Sequence, residues 1–491
     1  MKTHYMQFDK FTMILGLVLL FQVSCQDYDE FQNDPNSTIQ ANPGLLLTNI
    51  EVSTLNSIDL NASLASRHLV NVNLVEDAQY YGWDRASFGF YNTLRQVKKM
   101  EEEAENFNNQ NFTAIAQFFE AFIYEQITRQ FGDIPQSEAM QAEAEVFQPA
   151  YDPQEEVYLT IFDLLESANA LIDVNGPAIN GDVVFDGDLL KWKKLINSFH
   201  LRVLMSLSVR ETDPNLNLPT RFSSIFSNPG IYPIMESTED NSRYTYSEET
   251  GNVYPFWRNA SVTTSYILEE SFVERLKNFS DPRLFEMAAP DNNSVNDSPL
   301  TFESFTGLLG SAPLNENVAR LSSGEGSPLN RRYVEDAEVE VNLSLGFAEL
   351  NFILAEAAHR SWISADAADY YEQGIRASMA YYNIDESLTQ DYLEQPIISY
   401  QAASGLEQIL TQKHTAMFLN SGWEPFYDNR RTGFPVFNVD GGGIINTEGV
   451  PKRWMYPFSE INQNVDNLET AIQRQFPEGD NINAVMWSIR D

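Results

Sequence analysis

Residues 345–382 read LGFAELNFILAEAAHRSWISADAADYYEQGIRASMAYY. Apolar and small residues recur here three and four positions apart, which is the period of a helix with one buried face. The two runs are Leu350, Ile353, Leu354, Ala357 and Ala358, then Tyr371, Gly374, Ile375, Ser378, Met379 and Tyr382. Because few residues separate them, we expect helices over 345–361 and 366–382 that form an antiparallel hairpin. The small residues let the backbones approach, as in a tetratricopeptide-type unit.

Helical periodicity also dominates most of the chain beyond residue 43. Four further stretches show it: 115–127, 157–172, 192–203 and 404–420. The helix over 157–172 has a start signal, because Asp152 can accept hydrogen bonds from first-turn amides and Pro153 fits the first helical position. Glu155 would then complete a capping box.

Two regions have a different texture. Between about 211 and 343, and from 421 to the end, Pro, Gly, Asn and Ser are more frequent and helical periodicity is weaker. Long ordered loops of this kind usually carry binding sites. The sequence therefore predicts a mostly α-helical fold with long irregular segments packed on the helices, although the spacing alone does not establish a tetratricopeptide solenoid.

The N-terminus has the features of a lipoprotein signal peptide. Residues 11–21 are apolar, too short a run to span a bilayer, which takes about 20 residues, but typical of a secretory signal. Ser24 precedes Cys25, the only cysteine in the chain, on which we expect a lipid anchor. An uncleaved signal followed by an unrelated cysteine is the alternative. The predicted segments are a signal peptide (1–24), an acidic and polar tether (25–43) and one folded domain (44–491).

Acidic residues directly follow the predicted anchor. Residues 26–30 read QDYDE, which resembles the surface-export signal of Bacteroidetes lipoproteins and would place the protein on the outside of the cell outer membrane. A solvated acidic linker is the alternative, since charged tracts are often only that.

Composition excludes several classes of protein. With 43% hydrophobic and 12% aromatic residues in 491, the chain can bury a large core. A net charge of −39 without a basic patch repels nucleic acid and anionic lipid, so the lipid on Cys25 would be the membrane link. A single cysteine excludes disulfides within the chain.

Five local motifs follow one another along the chain. They are Phe131-Gly132-Asp133-Ile134-Pro135; Tyr151-Asp152-Pro153 with Tyr158, Ile161 and Leu165; Ala355-Glu356-Ala357 with Tyr370-Tyr371 and Gly374-Ile375-Arg376-Ala377-Ser378; Glu424, Tyr427, Asp428, Arg430, Arg431, Thr432 and Gly433; and Arg453, Tyr456, Pro457, Glu460 and Asn464. With the N-terminus, these motifs resemble the SusD/RagB family of outer-membrane nutrient-binding lipoproteins, and most closely its second, SusD-like branch.

The resemblance implies a fold of four tetratricopeptide-like helix pairs and a role in uptake. It implies a non-enzymatic subunit, without a cofactor, that binds oligosaccharides or oligopeptides and delivers them to a SusC-type TonB-dependent barrel. The motifs themselves are expected to be structural. Gly132 would take a positive φ, Pro135 would stop the helix, and paired arginines near acids would fix a loop.

Two aromatic segments outside the helical stripes are the candidate ligand contacts. Sugars and peptides both stack on exposed rings, so the predicted ligand-binding residues are Tyr80, Tyr81, Trp83, Tyr254, Trp257 and Arg258. The alternative for each ring is packing in the core.

The sequence offers little for catalysis or metal binding. The five histidines, His4, His68, His200, His359 and His414, have no ligand-like spacing, and no nucleotide or nucleophile motif is present. Residues 291–297 (DNNSVND) could hold Ca²⁺ through oxygens but lack the glycine and glutamate of a calcium loop. Two rival functions stay open: a lipid-anchored glycoside hydrolase of the same uptake system, and a structural or adhesive lipoprotein.

Overall fold

The computed structural model describes residues 42 to 490, and α-helices are its main elements. In chain order they are α1 (Pro43–Thr54), α2 (Leu60–Ala65), α3 (Asp77–Tyr80), α4 (Phe90–Asn106), α5 (Gln110–Phe131), α6 (Gln154–Leu171), α7 (Leu189–Ser206), α8 (Leu218–Ser227), α9 (Ala260–Ser265), α10 (Glu270–Asn278), α11 (Leu284–Met287), α12 (Leu314–Ser322), α13 (Arg332–Glu335), α14 (Phe347–His359), α15 (Ala367–Tyr381), α16 (Glu386–Leu393), α17 (Gly405–Ala416), α18 (Glu424–Thr432), α19 (Phe458–Gln463) and α20 (Val465–Gln475). The mostly α-helical fold class is therefore confirmed. The predicted signal peptide and Cys25 lie outside the described residues.

Four short strands pair at long range. They are β1 (Leu69–Asn71), β2 (Ser242–Tyr244), β3 (Tyr266–Leu268) and β4 (Asn342–Leu345). β1 pairs antiparallel with β3, and β2 pairs antiparallel with β4. The two small sheets tie the irregular region between 211 and 343 to the elements before and after it.

Helical pairs form the scaffold. α4 packs along α5, α5 along α6, and α14 along α15, and the short connections within the α4–α5 and α14–α15 pairs make those two antiparallel. The α14–α15 hairpin is the one predicted over 345–382. A Cβ added to Gly374 on α15 would lie 2.8 Å from the ring of Phe352 on α14, so the missing side chain is what allows the two helices to approach.

The core is centred on α5. This helix is buried on nearly all faces and packs against α1, α4, α6 and α7. Residues 43 to 490 pack as one compact unit around it. No helix within these residues has the length and hydropathy to cross a membrane.

The end of α5 follows the prediction. The helix stops at Phe131, and Gly132 follows with a φ of 95°, which favours glycine. A Cβ at Gly132 would also lie 2.2 Å from Oε1 of Gln475, so space as well as conformation requires glycine here.

The start of α6 differs from the prediction. Pro153 is the N-cap residue and Gln154 the first helical residue, and no side chain of the cap residue bonds the first turn. The Asp152 carboxylate accepts instead from the backbone N–H of Gln136 at 2.8 Å. Asp133 Oδ1 accepts from the Gln154 N–H at 2.8 Å. The predicted Asp152 cap and capping box are wrong, because the turn after α5 folds back onto this point and competes for both groups.

The region 211–343 is a less regular lobe, as expected. Its helices, α8 to α13, are ten residues long at most and are separated by turns and the strands β2 and β3. Similar irregular chain connects α18 to α19.

Candidate functional site

The first predicted aromatic segment lies inside the protein. Tyr80, Tyr81 and Trp83 are only 2%, 0% and 8% exposed. The Tyr81 hydroxyl donates to the Ala65 carbonyl at 2.8 Å, and Trp83 Nε1 donates to the Arg453 carbonyl at 3.1 Å. The prediction that these rings face solvent is wrong, because their partners come from distant parts of the chain. The three rings stabilise the fold and present no face to a ligand.

Trp83 belongs to an aromatic cluster with one member near the surface. Its ring stacks on Trp454 at 4.7 Å between centroids, and it meets the edge of Trp423 at 5.9 Å. Trp423 is half-buried, and its Nε1 donates to Asp59 Oδ2 at 2.9 Å, which fixes the ring. The sequence analysis did not select Trp423, and a Gly-Trp pair in an irregular region was its only signal.

A cavity of about 220 Å³ lies beside Trp423. The end of α1, the α1–α2 loop, α5, α7 and the start of α18 line it, and Arg202 and Glu424 contribute buried charges. Arg129 Nη1 donates to both Glu424 and Glu125 at 2.7 Å. Glu424 is therefore already paired within the protein, and Arg202 Nη1 lies 3.7 Å from Glu349 Oε1.

The electrostatics of this charge cluster favour an ionised Glu424. Burial alone would raise the pKa of its carboxyl, but Arg129, Arg202 and Lys413 outweigh burial and hold the pKa below its usual value. Burial raises the pKa of Glu125, and the charge of Arg129 offsets this rise only in part. The arrangement is that of a buried ion network, which fixes geometry, because each carboxylate has a charged partner.

The arginine pair on α18 belongs to the same network. Arg431 donates to both carboxylate oxygens of Glu356, at 2.5 and 2.8 Å, and to Asp428 at 2.8 Å. Arg430 donates to the backbone carbonyls of Arg129 and Lys452 at 2.9 Å. The structural role predicted for the motif is confirmed, although the pair fixes a helix and Arg430 bonds backbone oxygens instead of acids.

The second predicted segment is split between core and surface. Tyr254 is 1% exposed, and its ring packs against Tyr246, Phe256 and Tyr333. The expectation that Tyr254 is exposed is therefore wrong. Burial, reinforced by the charge of Glu340, raises the pKa of its hydroxyl well above the usual value, so Tyr254 stays neutral.

Trp257 and Arg258 are the predicted ligand contacts that reach the surface. Trp257 is half-buried and Arg258 exposed, and the guanidinium carbon lies 4.0 Å from the centroid of the tryptophan ring. The Arg258 N–H donates to the Val334 carbonyl at 2.8 Å, which holds the segment to α13. Arg258 has a φ of 56°, uncommon for a residue other than glycine. The backbone hydrogen bond to Val334 thus fixes the position of Trp257 and Arg258 on the surface of the lobe.

A ladder of tyrosine rings extends this surface. Tyr244 on β2 is half-buried, contacts Tyr246 at 5.2 Å, and Tyr246 contacts Tyr254 at the same distance. The ladder runs from the partly exposed ring of Tyr244 to the buried ring of Tyr254, which precedes Trp257 by three positions in the sequence. We define Tyr244, Trp257 and Arg258 as the aromatic surface of the lobe.

The acidic stretch 291–297 forms its own internal bonds. Asp291 accepts from the Ser294 N–H and the Thr306 hydroxyl, and Asp297 accepts from the Ser304 hydroxyl. Within residues 42 to 490, no group of three or more His, Cys, Asp or Glu side chains is arranged to hold a metal ion. These two carboxylates order the loop around them.

Comparison with known proteins assigns the family. The sequence profile of the SusD-like family, described as starch-binding and associating with the outer membrane, matches residues 35 to 457. The fold and sequence thus define an outer-membrane-associated binding protein. The chain belongs to this SusD-like family. No curated protein is similar enough to count as a relative.

Solved structures agree with this assignment. A SusD homologue from Bacteroides fragilis is 36% identical, with a TM-score of 0.85 over 92% of this chain and 100% of that one. A candidate outer-membrane protein from Bacteroides vulgatus, with a suggested role in nutrient binding, is 32% identical, with a TM-score of 0.86 over 92% and 100%. A chitin-binding protein is 22% identical, with a TM-score of 0.75 over 92% and 100%, and shares the fold.

Proposed function

We propose that this chain is a lipid-anchored, outward-facing binding subunit that captures oligomeric nutrients and delivers them to a SusC-type TonB-dependent barrel. The observation that carries the proposal is membership of a starch-binding, outer-membrane-associated family over most of the chain. In this proposal, Cys25 after the apolar run carries the lipid anchor, and the acidic residues behind it direct the protein to the outer face of the membrane. Binding and release, without bond cleavage, is the proposed activity.

The aromatic surface of the lobe is the proposed site of capture. Flat rings bind the apolar C–H faces of sugars, or peptide side chains, with little loss of conformational entropy. Arg258 adds hydrogen-bond donors directly beside the Trp257 ring. Since Tyr246 packs against Tyr244 and the Arg258 N–H is bonded to the Val334 carbonyl, these residues are positioned before a ligand arrives, which reduces the entropy lost on binding.

Binding assays on a double variant test the site. We expect Trp257→Ala with Arg258→Ala to weaken binding by at least about tenfold, because aromatic and arginine contacts dominate most binding energies. Neutral oligosaccharides and mixed oligopeptides serve as probes, measured by calorimetry on the purified protein. Arg95→Ala, an exposed arginine on α4, is the matched control. Unchanged affinity of the double variant for every probe that binds would refute this site.

The partner and the anchor need a cellular test. We expect a large TonB-dependent barrel to co-purify with the protein from detergent-solubilised outer membranes. Cys25→Ser should release the protein from membranes while its fold is kept. Recovery of the protein without any barrel would contradict delivery, and a membrane-bound Cys25→Ser variant would contradict the anchor.

A further inference from the structure

A second cleft lies on the helical scaffold, away from the lobe. It has a volume of about 600 Å³, within the range of pockets that bind small molecules, about 300–1,000 Å³. Side chains of α4, α5 and α6 line it together with the turn that follows α5. Because helices supply three of its sides, the cleft is built on rigid elements.

The lining of this scaffold cleft mixes hydrogen-bond donors and acceptors. Glu120 is 7% exposed and accepts from Lys98 Nζ at 2.6 Å. Asp152 accepts from the Ser137 backbone N–H and hydroxyl at 2.8 and 2.7 Å. Met140, which is 39% exposed, adds an apolar wall. Polar groups that point to one space beside a small apolar surface are what a polar ligand requires.

One buried donor in the lining has no partner. Gln136 is 8% exposed, and its Nε2 makes no hydrogen bond to any described residue. The backbone of Gln136 is fully used, because its N–H donates to Asp152 and its carbonyl accepts from Tyr124. Buried amide groups in native proteins nearly always have a partner, so an unpaired one calls for an explanation. A rotation of the Gln136 side chain that turns this amide toward the cleft would let an oxygen atom of a ligand satisfy it.

The charges in the cleft select among ligands. Glu120, Asp152 and Glu156 face a single ammonium group, that of Lys98. This excess of negative charge disfavours phosphates and acidic sugars. A hydroxyl group both donates and accepts, so it can accept from Gln136 Nε2 and donate to a carboxylate. Neighbouring sugar hydroxyls would repeat this pattern along the cleft.

We propose that the scaffold cleft is a second ligand site, which binds a neutral saccharide through its hydroxyl groups. The inference goes beyond the aromatic surface and rests on the proposed function only in taking the nutrient to be a glycan. Gln136 supplies the donor, Glu120 and Asp152 supply acceptors, and Met140 contacts an apolar sugar face.

Hydrogen–deuterium exchange on the full mature chain tests the cleft. The probes are the hexamers of maltose-, cellulose-, xylan-, mannan- and chitin-type chains, with an acidic oligogalacturonate as counter-probe. We expect at least one neutral hexamer to protect backbone amides of 136–141 and 156–160, and the acidic oligomer to protect none of them. If no neutral hexamer protects these amides, the inference is overturned.

Two variants separate binding from structure. Gln136→Leu should weaken binding at the cleft by about tenfold, the worth of one uncharged hydrogen bond, while the melting temperature stays equal or rises. Thr160→Arg, at an exposed position of α6, should block the cleft without disturbing the fold. Gln473→Leu, on the exposed face of α20, is the matched control. If both cleft variants bind as the unmodified protein does, the site is wrong.

The exchange pattern also separates this inference from the proposed function. Protection of segment 254–259 alone keeps the proposed capture site and overturns the cleft. Protection of 136–141 alone keeps the cleft and overturns glycan capture at the aromatic surface. If neither segment is protected by any hexamer, the cleft and glycan capture at the aromatic surface are both overturned.

Discussion

Glu51 on α1 makes the stability of this protein depend on pH in a way that one substitution can remove. The side chain is fully buried, its Oε2 accepts from the Val183 N–H at 2.7 Å, and its carboxyl group interacts with the carboxylate of Asp182. Burial, with the nearby carboxylate of Asp182, raises the pKa of Glu51 from 4.5 to about 10. Glu51 is therefore protonated in the folded protein at neutral pH and ionised in the unfolded chain.

The sign and size of the effect follow from proton linkage. The folded state holds one more proton than the unfolded state between pH 4.5 and about 10, so the free energy of unfolding falls as pH rises through this window. Below pH 4.5 Glu51 is protonated in both the folded and the unfolded state, so it no longer lowers the free energy of unfolding. Each pH unit removes about 1.4 kcal/mol, so the loss at pH 7.5 is about 4 kcal/mol. As long as the pKa of Glu51 in the folded protein exceeds 7.5, the loss at pH 7.5 depends only on the pKa of Glu51 in the unfolded chain.

Glu51→Gln should abolish this dependence. The Gln carbonyl can accept from Val183 and its amide can donate to Asp182, so the contacts survive without the titrating group. We expect near-equal stability at pH 4.5 and a gain of about 4 kcal/mol for the variant at pH 7.5. Urea unfolding followed by tryptophan fluorescence, from pH 4.5 to 8.5, measures both. Glu143→Gln, at an exposed position, is the control.

Other buried carboxyls also titrate, but they do so in the variant and in the unmodified protein alike. The difference between the two stability curves therefore isolates Glu51. Parallel curves would refute the reasoning, because they would mean that Glu51 is ionised in the folded protein.

Three further predictions concern the scaffold and are measured by urea unfolding. Arg129→Met should destabilise the protein by about 3–5 kcal/mol, because it leaves two buried carboxylates without their shared partner. Gly374→Ala should cost about 1–3 kcal/mol, since its Cβ would lie 2.8 Å from the Phe352 ring, and adding Phe352→Leu should recover part of the loss. Trp83→Ala should cost about 3–5 kcal/mol by emptying the aromatic cluster, whereas Trp257→Ala should change stability by less than about 0.5 kcal/mol.

The helical scaffold was predictable because its signal is local. Apolar spacing over 345–382 defines the buried faces of α14 and α15, and Gly374 marks their closest approach without knowledge of any other part of the chain. The sequence also indicated where regularity ends, since α8 to α13 are short. The α14–α15 pairing thus follows from neighbours within about 40 positions, whereas the strand pairs β1–β3 and β2–β4 join distant parts of the chain.

The exposure of single rings was not predictable in this way. Trp83 is buried because Arg453 and Trp454, some 370 positions away, cover it. Tyr254 and Trp257 are three positions apart in the sequence, yet the Tyr254 ring is buried within the lobe and the Trp257 ring reaches its surface. Nothing in the local sequence distinguishes these environments, since composition and spacing are the same for a packed ring and an exposed one.

Charge links the anchor, the capture surface and the scaffold cleft in the proposed function. Buried cations such as Arg129 and Arg431 are used to neutralise buried acids, so most of the net charge of −39 lies on the surface. Such a surface repels an anionic membrane, but only within the screening length of about 8 Å at physiological salt. The same field does not act on a neutral oligomer, so capture must depend on short-range contacts with rings and hydroxyl-binding groups, which are what the aromatic surface and the cleft provide.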